Sequence, residues 1–266
     1  MDAVLKSTPF KYINKFSDNL SILLFLVIWE FGPRVAGVDQ TFIAPPSVVV
    51  LTLWELLQSG VLLEHTQVSL WRAAIGFTLA GLVGIPLGFL LGGWFKTFER
   101  ILNPLLYFLG QFNPFSLFPV FILLFGIGEV SKVSMIFWVC LWPILYNTIT
   151  GVKGIEPIHV KSARSMGADT KILFSKVVLP GAAPSIFTGL KLASGTAFFM
   201  LIAAEMIGAS SGLGWLVWNA QTNYQIPRIY AATVAISVLG LILNNLFRLL
   251  EKKVVAWKEA TFADGH

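Results

Sequence analysis

Ala73–Phe95 reads AAIGFTLAGLVGIPLGFLLGGWF, 23 residues without one Asp, Glu, Lys or Arg. A helix needs about 20 predominantly apolar residues to cross the hydrocarbon core of a bilayer, so this stretch alone suffices. Three further charge-free runs follow: Ile101–Gly128 (28 residues), Val133–Val152 (20) and Ile229–Phe247 (19). Over all 266 residues only 12% are charged, roughly half the share of an ordinary soluble domain. A water-soluble protein is excluded. The expectation is an all-α polytopic membrane protein of about five to seven helices, with no room for a large soluble domain.

Working outward, six spans can be drawn, at 19–37, 68–94, 103–126, 132–152, 185–207 and 229–250. Glu30 sits late in the first and Glu205 near the far end of the fifth. Lys6, Lys11 and Lys15 ahead of the first span resemble a signal peptide. No small-residue cleavage site follows, only Trp29-Glu30-Phe31-Gly32-Pro33, so the segment reads as a retained helix. With the N-terminus inside, segments 1–18, 95–102, 153–184 plus Lys191, and the C-terminal tail together with Arg248 just before it hold 3, 2, 6 and 4 basic residues. Arg34, Arg72, Lys132 and Arg228 remain opposite, a 15 to 4 split that obeys the positive-inside rule. The expected organisation is a cytoplasmic segment 1–18, a transmembrane domain 19–250 with a cytoplasmic loop 153–184, and a cytoplasmic tail 251–266. The net charge of +5 thus reports topology rather than nucleic-acid binding. The single Cys140 rules out a disulfide framework, and His65, His159 and His266 are too scattered for a metal cluster.

Several spans carry more than lipid-facing side chains. The second holds Gly76, Gly81, Gly84, Pro86, Gly88, Gly92 and Gly93, small residues that let helices approach closely where lipid removes any hydrophobic drive for association. Two uses fit: dense packing within one subunit, or a helix contact that moves. The third holds Gln111, Asn113, Pro114, Ser116 and Pro119. Prolines free backbone carbonyls that need protein or a water-filled cavity, so the span is either merely kinked or the wall of a pathway, with Gln111, Asn113 and Ser116 as pathway candidates. Arg72 and Glu205, at the outer ends of spans two and five, are further candidates. They read as wet interfacial residues, as a structural pair or as an outer gate, with Arg72 suited to an anion. Ser47 is placed to N-cap a short outer helix over Val48–Ser59. The run Gly208-Ala209-Ser210-Ser211-Gly212-Leu213-Gly214 follows no strand and lacks Gly-Lys-Ser/Thr. It reads as a compact outer loop with Trp215 and Trp218 at the interface, not as a phosphate cradle.

The one long polar segment lies between Gly151 and Lys191. Pro157 can open a helix through His159–Met166, Gly167 permits a sharp corner, and Asp169 or Thr170 can cap a second helix, Lys171–Leu179, which Pro180 ends. Two short amphipathic helices joined at a glycine make a lever for a cytoplasmic partner, or a loop packed on its own subunit.

Lys161-Ser162-Ala163, Gly167, Val177 and Leu179-Pro180 resemble the EAA motif of ABC-importer permeases, with the Gly-to-Leu-Pro spacing kept in full. Lys161 stands where the motif has an acid and Ser162 where it has its first Ala. Leu179–Leu190, Ala203–Gly214, Ser69-Leu70-Trp71-Arg72 and Phe125–Glu129 are similar to permeases of the nitrate, sulfonate and taurine importers. The resemblance runs from about Pro45 to the last span. It implies the type I ABC importer permease fold and a coupling surface of Lys161, Ser162, Ala163, Arg164, Met166, Gly167, Ala168, Asp169, Leu179 and Pro180. An ion pair from the motif's acid to the ATPase is put in doubt by Lys161.

The same resemblance implies a second permease copy, two cytoplasmic ATPase subunits that bind ATP and Mg²⁺, and an extracytoplasmic solute-binding protein, in the inner membrane. The chain has no Walker A motif of its own and is expected to be no enzyme but a path for a small solute by alternating access. The nearest subgroup favours an aliphatic sulfonate or taurine; nitrate, bicarbonate or a vitamin precursor are the alternatives. An ion-coupled secondary transporter would call for internal repeats and midplane carboxylates, yet Glu30, Glu129 and Glu205 all sit near span ends. A membrane-embedded enzyme would call for clustered acid/base or metal groups, and the sequence offers none.

Overall fold

Long apolar runs broken only by Gly, Pro and a few charges leave the backbone one way to satisfy its own hydrogen bonds in lipid, the helix. The computed structural model describes residues 8–35, 42–94 and 96–263, and every regular element among them is helical. In chain order these are α1 (Thr8–Val35), α2 (Pro46–Gln58), α3 (Val61–Phe89), α4 (Lys96–Gly110), α5 (Pro114–Phe125), α6 (Glu129–Lys153), α7 (Pro157–Ser165), α8 (Thr170–Leu173), α9 (Leu179–Gly208), α10 (Leu213–Thr222) and α11 (Ile226–Ala263). α3 runs on through a π-helical turn, Leu90–Trp94, and a second such turn, Phe174–Val178, joins α8 to α9.

Among the described residues, four stretches are long and apolar enough to cross a membrane: Val61–Gly93, Glu129–Lys153, Thr170–Gly208 and Ile226–Glu251. The expected third span is corrected. It is not one kinked helix but two, Glu99–Gly110 and Pro114–Phe125, bent by 94°. Asn113 precedes a proline, which disfavours the helical region; it sits extended at ψ 121° and its side chain accepts the Phe115 N–H as an N-cap. Pro114 then starts α5 at the position where a missing N–H costs nothing. The expected first span lies in α1 up to Val35, its last two positions being outside the described residues, as are positions 1–7 of the expected N-terminal segment and 264–266 of the tail.

The chain divides into two units: residues up to Leu62 with Val217–Ala235, and Leu63–Leu216 with Ile236 onward. In the first, Ser47 is not the cap of α2. Pro45 takes that position without a side-chain bond, and Ser47 instead donates from its N–H (3.1 Å) and Oγ (2.9 Å) to Glu30, which Arg34 also pairs at 2.6 Å. The expected short helix is nonetheless present as α2. Trp29 Nε1 ties the same turn to the Ala44 carbonyl at 3.1 Å.

The second unit has α6 between α3 and α9. Ile136, Cys140 and Ile144 are fully buried with Ala80, Ala193, Ala197 and Leu201. A Cβ on Gly76 would come within 2.7 Å of Ile136, and one on Gly92 within 2.8 Å of Val152. Gly84 and Gly88 meet Ile144 and Thr148 in the same way. Gly76, Ala80, Gly84, Gly88 and Gly92 recur every four residues against Ile136, Cys140, Ile144, Thr148 and Val152, also every four, so two flat rows are matched along one contact. The glycines of span two therefore pack within one subunit, except Gly81, which has nothing within 4 Å. Gly88→Ala is expected to cost about 1–3 kcal/mol by overpacking and to be partly restored by Thr148→Gly, whereas Gly81→Ala should be silent; thermal unfolding of the detergent-purified protein reads all three. On its other side α6 takes α9 equally closely, Gly151 against Ser185 and Gly189 against Asn147, both at 2.8 Å for a Cβ.

Candidate functional site

α6, at 25 residues, is about 37 Å long, and the residues of interest gather at its two ends. At its C-terminal end Lys153 pairs with Glu99 of α4. The chain then turns at Gly154 into α7, which Pro157 opens. α7 ends as the glycine requires. Gly167 has φ +82°, its N–H bonds the Arg164 carbonyl (3.0 Å), and the Ala168 N–H reaches back to Ala163 (3.0 Å). These two bonds are those of a Schellman cap, with Gly167 in the left-handed position. Asp169 then caps α8 by accepting the Ile172 N–H at 2.7 Å. The first expected helix is thus present, opened by Pro157 and ending one residue sooner than drawn, with Met166 as its C-cap.

The second is corrected: Pro180 does not end it. The chain continues unbroken as Thr170–Gly208, because the π turn Phe174–Val178 shifts the hydrogen-bond register just where Pro180 has no N–H to give. Ala163 is buried, while Lys161, Ser162, Arg164, Gly167 and Asp169 are exposed and Met166 is 81% exposed. Ala168 and Pro180 are half-buried and Leu179 is exposed. Behind α7 lies a cavity of about 180 Å³ between Phe89, Gly93 and Val152 on one side and Val160, Arg164, Leu173, Phe174 and Val178 on the other. The corner presents basic and apolar side chains outward at one end of the bundle.

The opposite end holds a buried ion cluster. Arg72 of α3 is 2% exposed and spends all five N–H donors on protein. Nε (2.5 Å) and Nη2 (2.6 Å) go to Glu129 in the first turn of α6, Nη1 to Glu205 (2.8 Å) and the Ser211 carbonyl (2.7 Å), and Nη2 again to Ser211 Oγ (3.2 Å). Glu205 of α9 is fully buried. It also accepts from Ser69 Oγ (2.8 Å) and from the N–H of Gly214, in the first turn of α10 (2.9 Å), where the helix end favours a negative charge. Lys132, itself buried, completes the set at 3.2 Å from Glu129. Of the three readings for Arg72 and Glu205, the wet interfacial one is overturned and the structural pair stands. In this conformation Arg72 has no donor left for a passing anion. Glu129, Ser69, His65 and Ser211 were not among the expected site residues. The spacing of His65, Ser69 and Arg72 at i, i+4 and i+7, which shares one helix face, would have pointed to His65 and Ser69, but nothing comparable marks Glu129 or Ser211.

The family model for the binding-protein-dependent transport system inner membrane component matches residues 84–256, which include the whole corner 157–180. The chain belongs to this permease family. It is 34% identical over 259 residues to the putative aliphatic sulfonates transport permease protein SsuC of Bacillus subtilis, covering 97% of this chain and 94% of that one. It is also 28% identical over 242 residues to the taurine transport system permease protein TauC of Escherichia coli (89% and 88%), and 31% identical over 243 residues to the bicarbonate transport system permease protein CmpB of Synechococcus elongatus (88% and 87%). An inward-facing structure of the MetNI methionine ABC transporter superposes with a TM-score of 0.65 at 16% identity, over 74% of this chain and 97% of that one. The fold is that of an ABC importer permease.

Within this permease the pathway candidates do not converge. Gln111, Asn113 and Ser116 are exposed at the α4–α5 break, where Asn113 serves as a cap. Arg72 and Glu205 are locked away in the ion cluster. α5 lays Phe118, Phe121 and Ile122 against Met135 and Ala204 and turns Phe115, Val120, Leu123 and Leu124 outward.

Proposed function

We propose that the chain is the transmembrane half-channel of an ATP-driven importer for a small anion, with an aliphatic sulfonate or taurine the favoured cargo. Nitrate, bicarbonate or a vitamin precursor would use the same path. Two copies stand side by side, and both termini and the corner 157–180 lie in the cytoplasm. Two ATPase subunits, which bind ATP and Mg²⁺, dock on that corner, and a solute-binding protein delivers cargo from the other side. This permease contributes no hydrolysis; its work is a shift between inward-open and outward-open populations.

The observation that carries the reading is the capped corner at Gly167, exposed at the end of the bundle where the positive-inside count places the cytoplasm. Lys161, Ser162, Ala163, Arg164, Met166, Gly167, Ala168 and Asp169 would form the docking surface, with Leu179 and Pro180 passing its motion into α9. Lys161, in place of the motif's acid, makes the surface more basic. Arg164, Lys161 and Lys171 then favour an acidic patch on the ATPase.

The cargo is read by uptake of radiolabelled taurine into cells expressing the permease with the ATPase and binding protein encoded beside it. Ethanesulfonate is expected to compete strongly, and nitrate and bicarbonate weakly. Strong competition by nitrate or bicarbonate alone would overturn the sulfonate assignment.

A further inference from the structure

His65, Ser69 and Arg72 project from one face of α3 and between them hold the chain that leaves α9. Ser211 takes Arg72 at its carbonyl and hydroxyl. The Gly212 N–H donates to His65 Nδ1 at 3.0 Å and the Leu213 N–H to Ser69 Oγ at 2.9 Å. Gly214 follows onto Glu205. Gly212 has φ +117°, and a Cβ there would collide with the Glu205 carboxylate, so the loop closes over the acid only because this position is bare. Two bases, Arg72 and Lys132, face two acids, Glu129 and Glu205, so the cluster is balanced in charge. Opening it in any direction strands a buried charge or a buried N–H, which is the costly event in a low-dielectric setting. The other end of the bundle is built differently. Among the described residues no ion pair ties α7 or α8 to α3, α6 or α9. A cavity of about 180 Å³ lies between α7 and the ends of α3 and α6, and α8 reaches α9 through the π turn Phe174–Val178.

We propose that the cluster is a permanent clamp. It fixes the ends of α3, α6 and α9 and the loop Ala209–Gly212 as one body through the transport cycle. The change of access is then expressed between such bodies and at the coupling end, never by parting these three helices. Arg72, Glu205 and Ser69 are positioning residues in this scheme, not solute ligands. The inference rests on the alternating-access reading above, and its test separates the two.

Trp71 and Val130 adjoin Arg72 and Glu129, are exposed, and take no part in the cluster. Trp71→Cys and Val130→Cys together, spin-labelled and diluted so that each transporter carries one labelled copy, report the distance between the α3 and α6 ends. The clamp predicts the same distance in the ATP-free and ATP–vanadate-trapped complex. It also predicts full taurine uptake after the two cysteines are joined by a short bismaleimide. A shift beyond about 2 Å, the scale of helix shifts in switching proteins, or uptake abolished by the cross-link, overturns it. If uptake in the unlinked variant and the parent proves independent of ATP, the functional reading falls. The distance measurement still decides the clamp, because it needs only the assembled complex.

Discussion

Replacing Glu205 with alanine is expected to destabilise the folded permease by about 3–5 kcal/mol, the usual cost of stripping one partner from a buried ion pair. The magnitude follows from burial: Arg72 is 2% exposed and Glu205 fully buried, so neither charge has water to fall back on. Glu129 stays on Arg72 but is 62% exposed at its own side chain; it screens the loss without refilling the space. Thermal unfolding in detergent and the yield of monodisperse protein read the effect. Arg72→Met with Glu205→Leu should lose less than either single change, because removing both charges removes the desolvation cost along with the attraction. A single Glu205→Ala change with wild-type unfolding would mean that the cluster is wet and its geometry incidental.

The second large effect belongs to the coupling corner and leaves the bundle alone. Gly167→Val puts a β-branched residue at φ +82°, a conformation that costs an L-residue roughly 1–2 kcal/mol, and that cost falls on the Schellman cap. ATPase attachment is expected to weaken about tenfold, the equivalent of ~1.4 kcal/mol, with ATP-driven uptake falling alongside and unfolding of the membrane helices little changed. Gly167→Asn should retain most of both activities, since Asn tolerates the left-handed region. Normal attachment and uptake in Gly167→Val would remove the corner from the coupling path.

How far the sequence could be read depended on the range of the forces involved. Charge-free length is a one-dimensional property, so the membrane spans stood out directly, and the corner at Gly167 was legible because a glycine, an Asx cap and a Pro act over a few residues. Two local readings failed for local reasons that only a hydrogen-bond register reveals. Pro180 reads as a helix end, yet a π turn carries the helix past it. Pro114 reads as a kink, yet the extended Asn113 before it breaks the span outright. The ion cluster was the least legible part. Arg72, Glu129 and Glu205 are separated by 57 and 133 residues along the chain from Arg72, and no periodicity links them. Only the α3 side of the cluster leaves a trace, at the spacing of His65, Ser69 and Arg72. The glycine row was visible as a composition, but its four-residue match to Ile136, Cys140, Ile144, Thr148 and Val152 requires knowing which helix lies opposite.

The central claim is that solute crosses this permease by ATP-driven alternating access coupled through residues 157–180. The most direct measurement is taurine uptake into proteoliposomes holding the permease with its ATPase, with ATP sealed on the ATPase side and the binding protein outside. Uptake should require both ATP and the binding protein, survive collapse of proton and sodium gradients, and disappear in Gly167→Val. Uptake that persists without ATP and fails when an ion gradient is dissipated would contradict the account and make the protein an ion-coupled carrier.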